Sequence, residues 1–135
     1  MPDADDIWRI SPGLAIDTNR EIAIGNVIAV MRGYAQANCG LAIRTRVFAR
    51  PELYRPVTTA LQDAFDSIHQ LYLVARPEKR ELRLIEHGHA DRAHYSISRL
   101  RFIEELPYPK IDTADLTPEE VSDRVLAHIR SLAIQ

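Results

Sequence analysis

Arginine dominates the groups in this chain that could do chemistry. Of the 17 basic residues only Lys79 and Lys110 are lysines, and the remainder are arginines. A guanidinium presents a planar fork of donors that matches phosphate and carboxylate oxygens in pairs. A GC-rich genome produces the same bias, so the count alone assigns no site. Position narrows the field. Arg44 and Arg46 alternate with Thr45 and share one face of a strand-like segment. Arg92 and Arg99 are seven residues apart and fall on one face of a helical segment, with Arg101 close behind. An exposed charged face paired with Glu104 and Glu105 is the plainer account of that second group.

The other reactive types are sparse. His87, His89 and His94 suggest a metal, because imidazole is a common zinc ligand. Their spacing follows no established zinc pattern and no cysteine lies near them, so a polar surface segment accounts for them better. Cys39 is the only cysteine; it has no neighbouring base and reads as a buried structural thiol. Asp5 and Asp6 form an acidic pair close to Met1, where a solvated end explains them as well as a site does.

These groups need elements to hold them. A chain of 135 residues, 46% apolar and 27% charged, is sized for a single domain spanning residues 1–135. A net charge of −2 gives no reason to expect nucleic acid. The longest nearly apolar run, residues 22–31, is too short to span a bilayer. A lone cysteine and the absence of a signal-peptide pattern fit a cytoplasmic location.

Residues 1–19 read as turns. Apolar spacing at Ile24, Val27, Ile28, Met31, Tyr34 and Ala35 predicts a helix over 20–38, capped by Asp17, Thr18 or Asn19 and stopped by Gly40. Residues 41–48 read as a strand. Pro51 and Pro56 break the next stretch, and a helix then runs to about Asp66, with Val57, Ala60, Leu61, Ala64 and Phe65 inward. Residues 68–74 read as a largely buried strand. Pro77 opens a helix ending near His87 and Gly88. Another runs from about Asp91 to Glu105, and 110–112 is a short strand. Thr117, Pro118 and Glu120 form a capping box that opens the last helix, with Val121, Val125, Ile129 and Leu132 on one stripe. Such alternation predicts α/β architecture with a parallel sheet.

One family resemblance emerges from motif order. Ile111-Asp112-Thr113-Ala114-Asp115-Leu116-Thr117-Pro118-Glu119-Glu120-Val121 is similar to the ending of P-loop small-molecule and nucleoside kinases of the chloramphenicol phosphotransferase, gluconate kinase and adenylylsulfate kinase groups. Residues 71–78 resemble the strand before the lid of such kinases, 83–88 the start of the lid, and 5–8 the acidic segment after the second strand. The resemblance implies a three-layer α/β/α kinase-like fold and transfer of the ATP γ-phosphate, with Mg2+, to a small molecule or nucleoside, with a small-molecule or nucleotide ligand as partner. It implies Asp5 or Asp6 as base, Arg44 and Arg46 at the phosphoryl acceptor, and Arg92 and Arg99 as a lid clamp on phosphate.

The resemblance leaves a gap. A Walker A loop needs G-x-x-x-x-G-K-[ST], and none of Gly13, Gly25, Gly33, Gly40 or Gly88 is followed by lysine. Segment 41–48 also lacks a carboxylate that could hold Mg2+. The family's first strand, phosphate loop and first helix would precede Asp5. The expectation is therefore a kinase relative that is not competent alone: a degenerate kinase, a gene fragment, a misassigned start, or a non-catalytic module completed by a partner. ATP and Mg2+ are implied by the family only. Without the family's middle strand, 41–48 and 68–74 would either pair directly in parallel or drive self-association through their open edges.

Overall fold

The computed structural model describes residues 16–45 and 50–132, apart from the side chains of Ile16, Asp17 and Arg92. The chain divides into two compact units, Met1–Ile68 and His69–Gln135.

In the first unit, helix α1 (Ile16–Gln36) packs against helix α2 (Pro51–Leu61). Val27, Val57 and Leu61 form the buried centre, with Ile24, Ile28, Met31 and Phe65 around it. The predicted inward face of α1 is therefore the observed one. The helix nevertheless starts at Ile16, so Asp17, Thr18 and Asn19 lie inside it rather than capping it. Its end is set by Asn38 and not by Gly40. Asn38 takes φ 53, the Cys39 N–H donates to the Tyr34 carbonyl at 3.1 Å, and the Asn38 N–H to that of Ala35 at 3.0 Å. This is a Schellman closure, with asparagine in the left-handed position that glycine usually fills.

Helix α2 corrects the reading of the prolines. Pro51 opens the helix and Pro56 lies inside it, and the helix stops at Leu61 rather than near Asp66. Pro56 falls in the second turn, where it forfeits one backbone hydrogen bond but keeps a helical φ. Tyr54, Val57 and Leu61 make its buried face. Arg32 of α1 closes the far end: its Nη2 donates to the Ala60 carbonyl at 2.6 Å and to Asp63 Oδ1 at 2.7 Å. A cation there satisfies an orphan carbonyl and complements the helix dipole. Residues 41–45, expected to begin a strand, have no strand structure.

In the second unit, strands β1 (Tyr72–Val74) and β2 (Lys110–Asp112) pair in parallel, with Tyr72 opposite Lys110, Leu73 opposite Ile111 and Val74 opposite Asp112. A parallel pair needs a long crossover. Here it contains helix α3 (Pro77–Glu86), a 3-10 turn (Ala90–Arg92) and helix α4 (Ala93–Glu104). Helix α3 packs on α4, and helix α5 (Pro118–Leu132) lies on β2. The protein is thus mostly helical with a short two-stranded parallel sheet.

The partner of β1 is β2, so the expected direct pairing of 68–74 with 41–48 is not the arrangement among the described residues. Strand β1 is also shorter and less buried than its composition suggests, since among the described residues one strand flanks it: Tyr72 is buried, Val74 half-buried and Leu73 50% exposed.

Helix α3 ends as the sequence indicated. Gly88 takes φ 75, the Gly88 N–H donates to the Ile85 carbonyl at 3.0 Å, and that of His89 to Leu84 at 2.7 Å. The capping box of α5 also forms, with the Thr117 N–H 2.7 Å from Glu120 Oε2 and the Glu120 N–H 3.2 Å from Thr117 Oγ1. The stripe Val121, Val125, Ile129 and Leu132 is half-buried, and no residue of α5 is fully buried.

Candidate functional site

Pro77 starts α3 with Arg76 at its N-cap, which puts Arg76, Arg80 and Arg83 at i, i+4 and i+7, along one side of the helix. Two of the guanidiniums meet the segment that leaves β2, and the third meets α4. Arg76 Nη2 pairs with Asp115 Oδ2 at 2.7 Å, and Lys79 Nζ reaches Asp115 Oδ1 at 3.4 Å. Arg83 Nη2 donates to the carbonyls of Thr113 at 2.7 Å and Ala114 at 3.3 Å, while Nη1 reaches Thr113 Oγ1 at 3.3 Å. Arg80 Nε donates to Ser96 Oγ on α4.

The segment leaving β2 is held throughout. The N–H and the hydroxyl of Thr113 both donate to the Val74 carbonyl, at 2.7 and 3.0 Å, and Asp112 Oδ1 accepts from the Ala114 N–H at 2.9 Å. Asp112 makes an Asx-type turn, Arg83 clamps the carbonyls beyond it, Arg76 and Lys79 hold Asp115, and Thr117 caps α5. The Asp-Thr and Leu-Thr-Pro-Glu-Glu residues that carried the family resemblance have structural work to do at these positions.

Arg80 is different from its two neighbours. Arg76 is neutralised by a carboxylate and Arg83 donates to two carbonyls and a hydroxyl, whereas Arg80 meets one neutral hydroxyl and feels a second cation. Burial, and then the charge of Arg99, hold its guanidinium below the ordinary arginine value. Among the described residues no carboxylate forms an ion pair with Arg80 or Arg99. Arg99 lies one turn beyond Ser96 on α4, and its guanidinium carbon stands 4.7 Å from the Tyr95 ring centroid. A half-buried pair of like charges is unfavourable alone and is relieved by an anion between them.

No family model, curated protein or solved structure matches this chain.

The residues expected to act fall in several places. Asp5, Asp6 and Arg46 lie outside the described residues. Arg44 is half-buried in the non-strand segment 41–45, so the end-of-strand setting expected for it is absent, and it does have a partner. Arg92 closes the 3-10 turn and Arg99 sits in α4. The two therefore do not share one continuous α-helix, as their seven-residue spacing suggested. His87, His89 and His94 are exposed, and no group of metal-ligating side chains is assembled among the described residues. Cys39 is exposed rather than buried, because it lies at the turn that follows α1. Sequence reasoning alone does not single out Arg80. Its signal is nonetheless present in the Arg76, Arg80, Arg83 spacing around Pro77.

Proposed function

We propose that this chain is a kinase-like α/β module that binds the phosphate group of a small-molecule or nucleotide ligand, with Arg80 and Arg99 as the phosphate-holding pair. The observation that carries the reading is their juxtaposition across α3 and α4 without a carboxylate among the described residues. Guanidiniums held in this way favour an oxyanion. In a relative of the P-loop kinases, Arg99 would keep the lid role that the resemblance implies, with Arg80 rather than Arg92 beside it. The resemblance also implies a three-layer fold, and the lone cysteine fits a cytoplasmic setting. With no Walker A loop in these 135 residues, Mg-ATP has no cradle and γ-phosphate transfer does not occur on this chain alone.

Titration with inorganic phosphate, followed by the arginine Nε–H signals in nuclear magnetic resonance spectra, tests the reading. Shifts at Arg80 and Arg99 that vanish in Arg80→Gln and Arg99→Gln are expected. Unmoved signals at tens of millimolar phosphate would sink it.

The open side of β1 favours a second reading, in which the chain is completed by association. Among the described residues β1 has a ladder partner on one side only, and Leu73 is 50% exposed. Unpaired strand edges recruit further strands. Concentration-dependent sedimentation that Leu73→Lys abolishes is the expected result; a monomer at every concentration overturns it.

A further inference from the structure

One member of the arginine pair, Arg99, stands beside an aromatic ring. Within residues 95–99 of α4 lie the Tyr95 ring, the Ser96 hydroxyl that holds Arg80, and the Arg99 guanidinium. Arg99 occupies a position 4.7 Å from the Tyr95 centroid, and Tyr95 is nonetheless 63% exposed. The cation covers part of the ring and leaves the rest to solvent. A solvent-facing aromatic stacked with one guanidinium, and next in sequence to the serine that holds the other, combines a flat apolar surface with a dianion receptor. The stack also restrains Arg99, so less side-chain freedom is lost when it binds. The charge matches as well, since a phosphate monoester carries about −1.5 to −2 at neutral pH against two guanidiniums.

We infer that this site takes a small aromatic phosphate monoester, with the phosphate between Arg80 and Arg99 and the ligand ring against Tyr95. The assignment rests on the phosphate-binding reading above and adds the chemistry of the ester. Arg80 and Arg99 supply the charge recognition common to every phosphate. Tyr95 discriminates among esters by offset stacking.

The test titrates the full chain at low ionic strength with inorganic phosphate, methyl phosphate and phenyl phosphate, read by arginine Nε–H and backbone shifts. All three should move Arg80 and Arg99. Phenyl phosphate should bind roughly three- to tenfold more tightly than methyl phosphate, the range of an aromatic pair. Tyr95→Leu, which keeps bulk but removes the π-face, should erase that advantage and leave methyl phosphate within about twofold. If inorganic phosphate moves neither arginine, the phosphate-binding reading itself fails. If all three bind and phenyl phosphate is no tighter than methyl phosphate, or keeps its advantage in Tyr95→Leu, only the aromatic assignment is overturned.

Discussion

Arg83 on α3 and Thr113, the residue just after β2, are joined by a 2.7 Å hydrogen bond from the guanidinium Nη2 to the Thr113 carbonyl. Thr113 is itself buried and donates to the Val74 carbonyl, so one side chain ties the crossover helix to the ends of both strands. Truncation by Arg83→Ala leaves the half-buried carbonyls of Thr113 and Ala114 without that donor. The expected loss is about 1–3 kcal/mol in denaturant unfolding. Arg83→Lys should recover only part of it, since an ammonium lacks the fork that reaches both carbonyls and the hydroxyl. Full recovery by lysine would show that the charge alone matters.

The capping box of α5 is reciprocal, so its two members should couple. Thr117→Ala removes the acceptor for the Glu120 N–H and should cost about 1 kcal/mol. Glu120→Ala removes the acceptor for the Thr117 N–H. In a double-mutant cycle the two losses should be less than additive. Additive losses would mean that the two bonds form independently.

Faces and ends of helices are legible where local chemistry fixes them. The inward face of α1, the Gly88 closure of α3 and the α5 capping box all arise from side-chain spacing or from backbone needs within a few residues. Features that depend on partners distant in sequence are not legible. Residues 41–45 have a strand-like composition, and composition cannot supply a ladder partner. The β1 to β2 pairing joins residues 38 positions apart in register, and the crossover between them hides that choice from any local window. Pro56 misleads because proline breaks a helix only where its missing N–H and its ring bulk are not tolerated. For the candidate site, Arg99 is visible in the sequence and Arg80 is not, because the α3–α4 contact that brings them together is tertiary.

Asn38 gives a sharp test of the α1 closure. With φ 53 it occupies a conformation that costs most L residues roughly 1–2 kcal/mol. Asn38→Gly should leave thermal stability unchanged or slightly raised, and Asn38→Val should lower it by about that amount. Gly40→Ala should be neutral, because Gly40 is not among the positive-φ residues and a Cβ there meets nothing within 4 Å. A large loss at Gly40 would restore it as the stop.

Helix α5 has two sides that should respond differently to the same substitution. Val125 is half-buried and Leu126, the next residue, is 47% exposed. Val125→Asp puts a carboxylate on the packed side and should lower the thermal midpoint clearly. Leu126→Asp should stay within about 0.5 kcal/mol of the parent. Equal effects would mean that the helix does not dock through its Val121, Val125 and Ile129 stripe.

Salt and pH dependence test a phosphate site, and Mg-ATP affinity separates it from a nucleoside triphosphate site. Two guanidiniums attract phosphate largely by charge, so affinity should fall steeply as salt rises and the Debye length shrinks from about 30 Å at 0.01 M to about 10 Å at 0.1 M. The ligand sets the sign of the pH dependence. A monoester loses its second proton near pH 6, so binding should strengthen as pH rises through about 6 and then level off. Burial, and then the charge of Arg99, lower the Arg80 value from that of an ordinary arginine. Mg-ATP, lacking a Walker A loop to cradle its β and γ phosphates, should bind no more tightly than roughly millimolar by calorimetry. Micromolar Mg-ATP binding, or phosphate binding that weakens as pH rises from about 5 to 7, would contradict a site built on this arginine pair.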